Sequence, residues 1–164
     1  MTSENASPYP EFFPVRQNFQ KHALHDIPHA IAATVEQSPL AEIQRGKRVA
    51  IAVGSRGIAN LNTIIASVVQ QVKDRGGRPV IVPAMGSHGG ATVEGQTAVL
   101  ASYGITSEQM GCPIDASMDT VLVGTTMDGV DVHFDRVASE ADHVVVVNRI
   151  KPHTRLAGKY ESGL

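Results

Sequence analysis

Three short apolar runs constrain this chain more than any other feature. They are Arg48 to Val53 (RVAIAV), Pro79 to Pro83 (PVIVP) and 143–148 (HVVVVN). Each is continuous rather than alternating, the pattern of a strand buried on both faces of a parallel sheet. Parallel neighbours need a crossover, and the sequence after the first run supplies one. Leu61, Ile64, Ile65, Val68, Val69 and Val72 recur at helical spacing, and Gly76 and Gly77 can take the left-handed conformation that stops a helix. After the second run, Thr92 to Tyr103 reads as another helix, with Gly104 as its stop. This βαβα order predicts right-handed crossovers and an α/β fold: a Rossmann-like open sheet, mostly parallel, with helices on both faces.

The remaining elements fit around that frame. Ile27 to Gln37 reads as a helix, with Ile27, Ala30, Ile31 and Val35 as its apolar positions. Thr120 to Thr126 and Val130 to Phe134 flank Met127-Asp128-Gly129, and Asp-Gly between β-rich runs predicts a β-hairpin. A short helix is expected over Asp135 to Glu140. Residues 1–10 read as a loose lead-in and Phe12 to Phe19 as an extended segment. The expected organisation is an N-terminal extension, 1–47, packed on an α/β domain, 48–164. The chain stops at KYESGL, in a polar, Gly-containing stretch, so it is expected to be the first part of a longer protein.

Composition narrows the classes. With 164 residues and 42 % hydrophobic side chains, the chain can bury a real core. Only 4 % are aromatic and none is Trp, so that core must be aliphatic. The formal net charge of -2 lacks the basic excess of a nucleic-acid protein. The first residues have neither the basic start nor the apolar run of a secretory signal, and VVVV at 144–147 is far too short to span a bilayer. A single cysteine, Cys112, excludes an internal disulfide framework and suits a reducing, cytoplasmic setting. Neither nucleic acid nor membrane is an expected partner.

In an open parallel sheet, ligands bind outside the carboxyl ends of the strands. Three loops leave those ends here: 54–60, 84–91 and 148–160. Between them they carry Ser55, Arg56, Asn60, Ser87, His88, Asn148, Lys151, His153, Thr154 and Lys159. The segment 86–92 (GSHGGAT) opens a helix. Gly86, Gly89 and Gly90 can turn backbone N–H groups towards a ligand, and a helix N-terminus favours an anion. It is neither a P-loop nor a GxGxxG fingerprint, and the plainer reading is a Gly-rich turn with an exposed His.

His88 is a candidate general base because imidazole titrates near neutrality. His153 follows the third strand, read as central, in a loop that Pro152 stiffens. Arg56 could clamp a carboxylate or phosphate, and Lys151 and Lys159 could neutralise a phosphate. Each of these could equally be an ordinary surface residue; their convergence at adjacent strand ends is what singles them out. His22, His25 and His29 have helical spacing but no cysteine or acidic cluster beyond Asp26, so they read as a solvated helix face rather than a metal site. His133 and His143 lie in or beside strands and read as structural. Asp115, Asp119, Asp128 and Asp131 read as turn formers, and Cys112 as inert.

With GSHGGAT after one strand and NRIKPHTRLAGKYESGL after a later one, the chain resembles the nickel-dependent lactate racemase family over about 48–164. The resemblance implies an isomerase that uses a nickel-pincer nucleotide to take a hydride from C2 of a 2-hydroxy acid and return it to either face. It implies that His88 and His153 are the two acid/bases. Ser55, Arg56, Gly86, Ser87, Gly89, Gly90 and Lys151 would face the cofactor or anionic groups. The family's first His loop commonly reads GTHRP, here GSHGG. Its second reads EPHYFAG followed by GGRKS, here KPHTRLAG followed by KYESGL. Those differences imply a subgroup with a substrate other than lactate, such as a sugar acid. The cofactor-bearing Lys and the nickel-binding His are expected beyond Leu164, so this chain alone is expected to be inactive.

Three readings are open at this point. The parent protein is a racemase or epimerase of 2-hydroxy acids. Alternatively, the domain binds a nucleotide or anionic metabolite without catalysis. A metal-dependent hydrolase ranks last, because no carboxylate is close to either His in sequence.

Overall fold

In the computed structural model, residues 12–19, 23–55 and 57–152 are described. The three apolar runs pair as a parallel sheet of β1 (Arg48–Val53), β2 (Arg78–Pro83) and β5 (His143–Val147), in the order β2-β1-β5. Ile51 of β1 lies beside Ile81 and Val145, and Ala50 beside Val80 and Val144. Side chains alternate between faces along a strand, so the register sets the bulky residues on one face and the smaller ones on the other. Past β2, the chain at 113–115 adds a further rung: the Ile81 N–H donates to Pro113 O, and the Asp115 N–H donates to Ile81 O.

The bulky face carries the main core. Ile51, Val53 and Ile81 pack with Leu61, Ile65, Val68 and Val69 of α2 (Leu61–Asp74), and with Leu100 of α3 (Val93–Ser102). Met110 of α4 (Ser107–Met110) joins them. The apolar stripe of α2 therefore does what its spacing predicts. Outside it, α1 (Ile27–Glu36) starts at the N-cap Asp26, whose carboxylate accepts the His29 N–H, and packs on α2. His25 and His29 are exposed, as a solvated helix face requires. The α4 turn was not foreseen; it is one turn long and has no hydrophobic period to read.

On the other face, among the described residues, α5 (Arg136–Ser139) is the helix that covers the sheet, with Val137 and Ala138 on Ala50, Ala52, Val80 and Val82. Before it come β3 (Thr120–Thr125) and β4 (Asp131–Asp135), an antiparallel hairpin closed by Gly129 at φ 79°. Among the described residues no helix is long and apolar enough to cross a membrane.

One expectation is overturned. Among the described residues the run at 143–148 is an edge strand, with β1 at the centre, and it is not buried on both faces: Val144 is 40 % and Val146 59 % exposed. An unbroken β-branched run reads the same whether one face or both are covered.

Two stability predictions arise here. Ile51 is fully buried in the central strand, so Ile51→Ala leaves a cavity and should cost about 2–5 kcal/mol in chemical denaturation. Asp142 accepts from Lys47 Nζ and from the Arg48 N–H, both at 2.8 Å, and these two bonds hold its carboxyl below the usual range. A lowered carboxyl stabilises the fold above its unfolded pKa and stops doing so as pH falls through the folded value. Asp142→Asn should therefore narrow the stability difference between pH 7 and pH 3.

Candidate functional site

The register brings the carboxyl ends of all three strands to one edge: Val53 pairs with Pro83 on one side and with Val147 on the other. The loops at 54, 84 and 148 leave side by side. The β1 and β2 loops start in step, because the Gly54 N–H donates to Val147 O and the Ala84 N–H to Val53 O.

Ser55, the second residue past β1, is only 6 % exposed. Its Oγ shares a hydrogen bond with Nδ1 of half-buried His88. Nε2 of His88 has no hydrogen-bond partner among the described residues. A ring held at one nitrogen and open at the other can exchange a proton with a ligand while keeping its orientation.

Four interactions fix the loop that carries His88. Met85 is buried in the main core, and the His88 N–H donates to Met85 O. Gln96, reaching up from α3 and 4 % exposed, donates from Nε2 to Gly86 O at 2.8 Å. Gly89, at φ 66°, lies directly against Gly95 in the first turn of α3. An added Cβ on Gly95 would stand 1.8 Å from Gly89 O, so both positions require glycine. Thr92 Oγ1 caps α3 by accepting the Gly95 N–H.

This changes how the Gly-rich segment works. Gly89, Gly90 and Ala91 have φ of 66°, 69° and 54°, so residues 88–91 form a left-handed turn before α3, and the missing side chain of Gly89 lets it pack against Gly95. The α-carbons of Gly86 and Gly90 face open space, and Ser87 is exposed beside them. These are the positions where a ligand can approach the backbone.

The β1 and β5 loops are also tied together. Arg149 Nη1 donates to Gly57 O at 3.0 Å, and the Asn148 side chain packs on the α-carbon of Gly54. Lys151 is half-buried four residues beyond β5. Asn60 is exposed, starts α2 in a left-handed conformation and does not join His88. Arg56, His153, Thr154 and Lys159 lie outside the described residues.

Gln96, Gly95 and Arg149 went unread in the sequence. The signal for Gln96 was available: it occupies the same helical face as Leu100, four residues on, where a buried polar side chain needs a partner.

As for metals, no three metal-ligating side chains gather among the described residues. The open glycines at 86 and 90 suit the close approach of a nucleotide's anionic groups.

Among curated proteins none matches this chain. A family model does: the lactate racemase N-terminal domain matches residues 12–163, nearly the whole chain, including the strands, the His88 loop and the helices that brace it. The chain belongs to the lactate racemase N-terminal domain family.

Proposed function

We propose that this domain supplies part of the active site of a racemase or epimerase acting on 2-hydroxy acids, with His88 as an acid/base. The observation that carries the reading is the Ser55–His88 hydrogen bond at the aligned strand ends, within a chain of this family. Family membership supports a nickel-pincer nucleotide as cofactor; when bound, it supplies the acceptor for the C2 hydrogen and its electron pair.

The chain's own residues have simpler tasks. With Nδ1–H donating to Ser55 Oγ, the Nε2 lone pair of His88 is free to take the substrate hydroxyl proton. The same atom, once protonated, returns it. His153, in the β5 loop, is the proposed second base for the opposite substrate orientation. Gly86, Ser87 and Gly90 offer backbone to the anionic part of the cofactor, and Arg56 and Lys151 offer positive charge. Gly89 acts only by holding the loop to α3.

The test uses the complete protein and one enantiomer of a 2-hydroxy acid, with chiral analysis of the product. Conversion to the other stereoisomer is expected. Ser55→Ala should lower kcat about tenfold and change the pH profile, since His88 loses the group that fixes its orientation. Tight nucleotide binding with no stereochemical conversion of any 2-hydroxy acid would replace this reading with that of a binding module.

A further inference from the structure

At the opposite end of the sheet from His88 lies an open cavity of about 690 Å³. It lies in the size range of small-molecule sites. Its walls carry three cations, Arg48, Lys73 and Arg78, against one carboxylate, Asp115. Arg48 and Arg78 are register partners on adjacent strands. They lie on the same face, with backbones about 5 Å apart. Like charges in that position repel one another, a cost an anion between them would remove.

The local acids neutralise these groups only in part. Arg78 donates from Nε to Gly46 O at 2.8 Å, and no carboxylate among the described residues pairs with its guanidinium. Arg48 forms an ion pair with exposed Glu140 at 3.7 Å, longer than a hydrogen bond and open to solvent. Lys73 Nζ donates to the carbonyls of Gly111 and Met110, at 2.7 and 3.2 Å, and an ammonium has a third proton to give. Asp115 accepts from the Ser117 N–H. Asp142, also at this edge, is paired with Lys47.

We propose that this cavity binds a phosphate group, free or as a small phosphate monoester, independently of the His88 site. Two guanidinium groups and an ammonium line the one cavity, and that number of N–H donors suits a tetrahedral dianion better than a planar carboxylate. The six residues of β1 separate the two sites by roughly 17 Å, so occupancy of one does not require the other.

The experiment is an amide NMR titration of the 164-residue chain at constant ionic strength, with inorganic phosphate in one arm and ribose 5-phosphate in the other. Saturable shifts are expected at Arg78, Val80, Gly111, Cys112 and Ile114. Arg78→Gln should weaken binding about tenfold, the loss of one charge-assisted contact. Arg48→Gln serves as the second variant, and the same spectra report whether each is folded. His88→Ala should bind as the wild type does. Tighter binding of ribose 5-phosphate identifies the ligand as an ester, and equal affinity as free phosphate. Shifts centred on 86–91, no saturation, or unchanged affinity in both arginine variants would overturn the proposal.

Discussion

Alanine at Gly95 will destabilise the protein and displace His88, although alanine is the better helix residue. Gly95 lies in the first turn of α3, and by helix propensity alone the substitution should gain up to about 1 kcal/mol. Packing reverses the sign. The new Cβ would stand 1.8 Å from Gly89 O, 2.6 Å from Gly89 C and 2.9 Å from Thr92 Oγ1. Two of these atoms are backbone, and the third is the hydroxyl that caps α3 by accepting the Gly95 N–H. The turn at 88–91 must move by about an ångström or more, and His88 is its first residue.

Overpacking costs about 1–3 kcal/mol, and a clash with backbone lies at the upper end of that range, so the net loss in denaturant should be about 2 kcal/mol. The shift also pulls His88 from Ser55, which should appear as a changed imidazole environment by NMR. A misplacement of that size can lower turnover by about a hundredfold. Gly86→Ala is the contrast. Its Cβ would meet open space, so only the strain of its left-handed backbone is felt, and His88 should stay in place. A Gly95→Ala protein with wild-type stability and unaltered His88 signals would show that the Gly89–Gly95 contact does not hold the loop.

His88→Ala in the complete protein should lower stereochemical conversion by about 10²–10⁴-fold, the usual contribution of a positioned acid/base. Both directions should fall by the same factor, because a catalyst cannot alter the ratio of the two stereoisomers at equilibrium. Binding should change little, since the proton moves only as the reaction proceeds. His88→Gln keeps much of the side chain's volume and can still bond to Ser55, but it has no titratable nitrogen. If His88 acts by proton transfer, the glutamine variant should be as inactive as the alanine one. If it acts only as packing or as a hydrogen-bond donor, glutamine should restore most of the rate. Unchanged conversion in both variants would remove His88 from the mechanism.

Much of this architecture was legible in the chain. The runs around Ile51 and Ile81 and the stripe from Leu61 to Val72 are local patterns, and each recurs as the expected element. Asp128-Gly129 marks its turn by backbone conformation alone. The position of His88 at a strand end follows from element order, because parallel strands must expose all their following loops at one edge. The edge position of β5 was not legible, since Val144 and Val146 have the same residue types as buried strand positions.

By itself, then, the sequence determined which segments become strands and helices, and that a histidine-bearing, Gly-rich loop sits at a strand end. Periodicity and turn chemistry are encoded within a few residues, so they can be read directly. The tertiary structure decided the contacts on which the proposed chemistry depends: Ser55 with His88 across 33 residues, Gln96 with Gly86, and Gly89 against Gly95. Those depend on register and on how far a helix stands from a sheet, distances that no local pattern contains.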